Sequence, residues 1–162
     1  MNARPSRSDG GWHDRAWRVG LRAAYQVQLV WWRLRRPSIH GAYVAVWWDD
    51  RVLVIKNSYR RRVSFPAGGL KRRETSREAA VRELREEVGI SVSPDALHYF
   101  GEIVGDEGPA EDHAHVFELR CEARPTFVVD GREVVWAEFL SPAEALDRGA
   151  VEVVRRYLAT EG

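Results

Sequence analysis

Glu83, Glu86 and Glu87 stand at i, i+3 and i+4, a spacing that in a helix gathers three carboxylates on one side of two turns. Like charges so placed repel one another, so either the face is solvated or a cation sits against it. Hard divalent cations prefer carboxylate oxygens, and Mg²⁺ in particular binds through a few carboxylates together with waters and substrate phosphates. Taken alone, the three glutamates are a weak signal, because most charged helix faces are simply hydrated. The residues around them decide the matter.

The glutamates need a helix, and the sequence supplies its ends. Thr75 and Glu78 are spaced as a reciprocal capping pair, and Gly89 can take the left-handed conformation that stops a helix. Ala80, Leu84 and Val88 recur at intervals of four and give the helix an apolar face. Upstream, 41–48 and 51–57 are β-rich runs joined by Asp49-Asp50, which predicts a hairpin, and a basic, glycine-containing loop over 58–73 leads into the helix. Strand-like runs follow at 97–104, 113–123 and 134–140, separated by loops rich in Gly, Asp and Pro. Ser141, Pro142 and Glu144 then open a short helix, and another is expected over about 151–158. Strands and helices in this irregular order predict a mixed sheet covered by helices.

From Gly68 to Ile90 the chain matches a longer pattern: Gly68, Glu74, Arg82-Glu83-Leu84, Glu86-Glu87, and Gly89-Ile90. A chance match of that many specified positions is far below about one in a million at ordinary residue frequencies. This is the Nudix box, and the chain resembles the Nudix hydrolase family over roughly residues 41–160. The resemblance implies an α/β/α sandwich with a mixed β-sheet, in which the box forms loop, helix and loop. It implies Mg²⁺ as cofactor, with Mn²⁺ as an alternative, held by Glu83, Glu86, Glu87 and the backbone carbonyl of Ala67. Arg82 resembles the arginine that orients box carboxylates, and Glu74 the acid that supports it. The reaction implied is hydrolysis of a phosphoanhydride in a nucleoside diphosphate linked to another group, the cation neutralising phosphate oxygens and lowering the pKa of a water. A carboxylate then accepts the proton. Glu83 is the candidate within the box and Glu133, just before the last strand, the candidate outside it, with Glu111 and Asp112 weaker alternatives.

The loop departs from the family. Ala67 stands where glycine is commonest, Lys71 where an acid is common, and Arg73 where glycine often precedes the box glutamate. A left-handed Arg73 would cost roughly 1 kcal/mol. Lys71, Arg72 and Arg73, with Arg60 from the run 60–62, are candidates for contact with a polyphosphate, against the plainer reading of a solvated basic loop. No proline or tyrosine lies at the distance from the box that would indicate a particular substrate, Pro109 being too far and Tyr99 too near.

Residues 1–10 read as a flexible tail, 11–36 as a basic amphipathic helix outside the resemblance, and 37–162 as the hydrolase domain. In the helix Trp17, Leu21, Ala24, Tyr25, Gln28 and Trp32 form one stripe and Arg15, Arg18, Arg22 and Gln26 another, with Pro37 ending it. That apolar stripe must be covered, by the domain itself, by a second subunit in a homodimer, or by peripheral contact with an anionic membrane. It is too short and too charged to span a bilayer.

Eight arginines against two aspartates give residues 1–40 a charge of +6, which leaves −5 for the remainder of a chain of net charge +1. That footprint is modest for a nucleic-acid-binding protein, and a catalytically silent nucleotide-binding module would be expected to lack box glutamates. Cys121 is the one cysteine and cannot form an intramolecular disulfide, and no secretion signal is recognisable, so a cytoplasmic location is the default. As a lone cysteine in a strand it reads as a small hydrophobe rather than a nucleophile. His113 and His115 share one face of a strand, but two histidines without a third ligand make a poor zinc site. One tryptophan of each pair, Trp31-Trp32 and Trp47-Trp48, is expected to face the core, leaving the other for stacking on a base.

Overall fold

Residues 42–47 are apolar at six successive positions, the mark of a strand covered on both faces. In the computed structural model, which describes residues 12–35, 37–105, 110–129 and 131–161, they are all buried within strand β1 (Ser38–Trp48). Strands β2 (Arg51–Asn57), β3 (Ala67–Gly69), β4 (His98–Gly105), β5 (Glu111–Cys121) and β6 (Val134–Leu140) join it in one sheet of order β4-β5-β1-β2-β6, with β3 also on β1. The β1–β5 pairing is parallel, from Ser38 beside Glu111 to Trp48 beside Cys121, and the other pairings are antiparallel. The expected mixed sheet is therefore present.

Alternation along β1 divides the core. Ala42, Val44 and Val46 pack with Ala80, Leu84 and Val88 of helix α2 (Ser76–Val88), whereas Tyr43, Ala45 and Trp47 pack with Ala145 of α3 (Pro142–Asp147) and Val154 and Tyr157 of α4 (Glu152–Leu158). Trp47 Nε1 donates to the Tyr157 hydroxyl at 2.8 Å, which satisfies both polar groups within that layer. The result is an α/β/α sandwich.

The hairpin forms, with Asp49 left-handed in its turn, but β1 and β2 pair only at Trp47–Val52 and Trp48–Arg51. A strand as long as β1, buried on both faces, satisfies its backbone elsewhere: β5 runs along one edge, and β3 and Pro66 take up the other. Several boundaries differ from the sequence reading, β1 beginning three residues earlier, at Ser38. β5 begins two residues earlier, the segment 67–69 read as loop is a short strand, and Pro94–Ala96 forms a 3₁₀ turn.

Helix α1 (Trp12–Arg35) ends ahead of Pro37. Its partly covered residues are Asp14, Arg18, Leu21, Tyr25, Leu29 and Trp32, one helical stripe. Arg22 Nε bonds to the Ser58 carbonyl at 2.9 Å and Asp14 pairs with Arg132 at 2.9 Å, which fastens the helix to the sheet layer. The covered line runs one position off the expected one, so Trp17 is 59% exposed. Val27, Val30, Trp31 and Leu34 also face away from the domain. Among the described residues no helix is long and apolar enough to cross a membrane. The tail expected over 1–10 lies outside the described residues.

Candidate active site

Helix α2 is capped as its sequence dictates. Thr75 and Glu78 exchange both capping bonds, and Gly89, at φ 69°, closes the C-terminus. Between these ends Glu83 and Glu87 are one turn apart and buried, while the side chain of Glu86 is 47% exposed.

Strand β3 faces them. Val44 N–H bonds to Pro66 and Leu70 N–H to His40, so in the antiparallel alternation Ala67 and Gly69 occupy the non-bonded positions opposite Tyr43 and Gly41. Their backbone groups consequently turn away from β1. The Ala67 N–H donates to Glu87 Oε2 at 2.8 Å, and the Gly69 carbonyl accepts from Arg82 Nη2 at 3.0 Å. By the same alternation the Ala67 carbonyl turns to that side. Between them Gly68 leaves no room for a side chain: a Cβ there would lie 1.9 Å from Glu83 Oε1.

Arg82 is the hub of the carboxylates. Its Nε and Nη2 hold Glu74 at 2.7 and 2.9 Å, and Nη1 reaches both Glu83 and, at 3.3 Å, Glu86. The guanidinium bond holds the Glu74 carboxyl down at about 2. Burial pushes Glu83 up despite the same arginine. Glu87 is raised to about 8, chiefly by burial and further by Glu83, against the opposing bonds from Ala67 N–H and from Asn57 Nδ2 at 3.1 Å. The group is an oxygen-only set of donors in which one guanidinium bonds three carboxylates, Glu83 buried, Glu74 partly buried and Glu86 exposed, with Glu87 buried beside them.

Glu133 stands close enough to raise Glu83 and Glu87 electrostatically, and its Oε1 accepts from the Tyr59 hydroxyl at 3.1 Å. These residues border a cleft of about 870 Å³ whose wall includes Glu83, Glu86, Lys71, Arg60, Tyr43 and Asp112. Tyr43 donates to Asp112 Oδ2 at 2.9 Å, whereas Glu111 turns to His113. Arg60 lies 5.8 and 5.7 Å from the ring centroids of Tyr25 and Tyr59, and its Nε is sealed from water with no hydrogen-bond partner. Among the described residues it has no ion pair.

The structure thus brings Glu74, Arg82, Glu83, Glu86, Glu87, Glu133, Ala67, Arg60 and Lys71 together. It leaves Arg72 and Arg73 in an exposed turn outside the cleft lining, closed by the Glu74 N–H bond to Lys71 at 3.0 Å and with Arg73 left-handed at φ 67°. Asn57 and Tyr59 went unread in the sequence, where a polar residue ending a strand signals only a turn. Tyr25, Leu29 and Trp32 of α1 also line the cleft. Trp47 is buried and Trp48 is itself partly buried against the α2-side core beside Phe139, whereas in the other pair Trp32 is partly covered and Trp31 is exposed; burial raises the Cys121 thiol.

The NUDIX domain model matches residues 39–160. Among solved structures the chain is similar to a MutT NUDIX hydrolase from Burkholderia pseudomallei, at 19% identity and TM-score 0.65 over 75% of this chain and 96% of that one. It is similar also to the E. coli dihydroneopterin triphosphate pyrophosphohydrolase, at 20% identity and TM-score 0.64 over 75% and 92%. A bifunctional NMN adenylyltransferase/ADP ribose pyrophosphatase from Francisella tularensis matches at 17% identity and TM-score 0.67, over 86% of this chain and 46% of that protein. No curated protein matches the sequence.

Proposed function

This chain belongs to the Nudix family of pyrophosphohydrolases, and from that premise we propose that it is a Mg²⁺-dependent enzyme cleaving the phosphoanhydride of a nucleoside diphosphate joined to another group. The observation that carries the reading is the Arg82 network, which holds Glu74, Glu83 and Glu86 on one guanidinium while Glu87 is fixed to the Ala67 N–H. The residues fit a hard divalent cation. All donors are oxygens, the missing side chain of Gly68 makes room for the Glu83 carboxylate, and of the two buried carboxyls, Glu83 and Glu87, the Arg82 guanidinium bonds only the first. Glu83, Glu86, Glu87 and the Ala67 carbonyl would hold it. With Mg²⁺ or Mn²⁺ held by these residues, the site would gain the positive charge that neutralises diphosphate oxygens and lowers the pKa of a water.

The chain's own residues do the rest. Arg82 keeps the carboxylates oriented through four hydrogen bonds, with a fifth to the Gly69 carbonyl fixing the guanidinium itself, so the site is organised before substrate enters. Glu133, held at Oε1 by Tyr59, is the proposed acceptor of the water's proton, with Glu83 the alternative. Arg60, which makes no ion pair among the described residues, has a sealed Nε and lies within electrostatic reach of Asp112 and beside Tyr43, is the proposed anchor for a substrate anion beside the cleft's aromatic residues. Lys71, 3.8 Å from Glu86, adds positive charge at the rim. Arg72 and Arg73 contribute only to the field around the entrance.

The test is turnover of a panel of nucleoside triphosphates, nucleotide sugars and dinucleoside polyphosphates by the full chain with Mg²⁺ or Mn²⁺, with chelator as control. The expected products are a nucleoside monophosphate and the phosphorylated remainder. Absence of turnover across the panel with either cation would overturn the reading. Glu133→Gln separates the two bases: a steep loss of turnover at unchanged Mg²⁺ affinity assigns Glu133, and no loss assigns Glu83.

A further inference from the structure

A second cluster of donors lies away from the carboxylate network, at the end of the sheet where β1, β4 and β5 meet. The register sets His40 of β1 beside His113 of β5, and Glu102 of β4 opposite His115. Alternation along the strands puts these side chains on one face. The rings of His40 and His113 stack at 4.7 Å, and those of His40 and His115 at 5.9 Å. A donor atom from each of His40, Glu102 and His113 lies within 4.8 Å of the others. His113 is bonded at both nitrogens: Nδ1 is 2.8 Å from Glu102 and Nε2 is 2.8 Å from Glu111.

We propose that His40, Glu102 and His113 form a binding site for a zinc-class divalent ion, distinct from the Mg²⁺ site of the glutamate network. Two imidazoles and a carboxylate are a common zinc ligand set, and they select against Mg²⁺, which takes oxygens. Glu111 supplies the support such a site requires. A metal-bound histidine usually donates its second N–H to a carboxylate, which fixes the ring, and Nε2 of His113 has that partner already in place. With no ion, the Nδ1 position facing Glu102 is occupied by a proton. The ion displaces it: the Nδ1–H bond breaks, the nitrogen lone pair and the Glu102 carboxylate bind the cation, and the proton leaves to solvent.

A surface ion pair between His113 and its two glutamates is the plainer alternative, and it is worth little in water. It gives no role to the side chain of His40, which parallel pairing lays against the same ring. The cluster is open to solvent, His113 being 22% and Glu102 39% exposed, so ions have a path in. Occupancy fastens the edge strand β4 to β5 and β1. It does so at the rim of the cleft, where His40 is also a lining residue and its carbonyl holds Leu70. The inference is independent of the hydrolase reading.

Zn²⁺ is titrated calorimetrically into the full chain, carrying no histidine tag, in excess Mg²⁺ so that the oxygen site is filled. One equivalent should bind, with a rise in Tm. His40→Ala and His113→Gln should each weaken binding at least tenfold, and Glu111→Gln about tenfold through the lost support of the ring. Melting without Zn²⁺ checks that each variant folds. Co²⁺ should give visible absorption in the wild type, and His113→Gln should abolish it. Absence of binding to the folded wild type would overturn the proposal. So would wild-type affinity in both histidine variants, or loss of the Zn²⁺ equivalent in Glu86→Gln instead.

Discussion

Glu86 is the most exposed of the carboxylates proposed to hold the cation, and its ties to Arg82 at 3.3 Å and Lys71 at 3.8 Å are long. Replacing it with glutamine removes a charge and opens no cavity. Glu86→Gln should therefore shift stability by no more than about 0.5 kcal/mol and lower turnover by about a hundredfold. Turnover near wild type with unchanged Mg²⁺ dependence would refute its assignment. Glu87 makes a prediction of the opposite kind. Its folded pKa, about 8, lies above the ordinary 4.5, so the proton is bound more tightly in the fold than in the unfolded chain. Stability from that proton is complete below pH 4.5 and is lost as pH rises through about 8. Metal-free protein should consequently melt lower at pH 8.5 than at pH 6. A divalent cation takes over the proton's role, so the rise in Tm on adding Mg²⁺ should grow over the same window. A rise in Tm independent of pH would remove Glu87 from the cation site.

At the level of elements, the turn between β3 and α2 carries a strained residue. Arg73 is left-handed at φ 67°, which costs a non-glycine residue about 1 kcal/mol, and its side chain is exposed. Arg73→Gly should raise stability by up to that amount, read as a higher denaturant midpoint, and should leave the Michaelis constant unchanged because Arg73 stands outside the cleft. A raised Michaelis constant would restore the arginine to phosphate contact. Helix α2 itself was legible in advance, because its capping pair, its apolar spacing and Gly89 are all local signals. Strand β3 was not. Its residues have neither length nor alternation, and they are strand because the edge of β1 requires partners.

At the scale of the whole molecule, α1 is added to the family domain, whose match begins at residue 39. Its partly covered stripe closes one side of the cleft, so deleting residues 1–36 should raise the Michaelis constant about tenfold while kcat changes less. Equal Michaelis constants would show that α1 plays no part in binding. The outward residues Val27, Val30, Trp31 and Leu34 form an apolar strip on a basic helix. Sedimentation of the full chain and of the truncated chain distinguishes its uses: a lower mass after truncation marks a subunit interface. Salt-sensitive binding of the full chain alone to anionic vesicles marks a membrane surface.

The Nudix box, the helix carrying it, the strands other than β3 and the α1 boundary before Pro37 could be read from the sequence because each is set by neighbours within a few residues. The roles that depend on distant partners could not. His113 of β5 acquires a second imidazole partner only because parallel pairing lays His40 beside it, and a carboxylate only because β4 brings Glu102 to the same face. Arg60, Tyr59 and Tyr25 meet only where α1 crosses the loop after β2. Glu87 owes its raised pKa to burial against a strand that the sequence showed as loop. Local rules of capping and periodicity act through spacing along the chain, whereas desolvation, register and side-chain convergence act through space, and only the folded chain sets them.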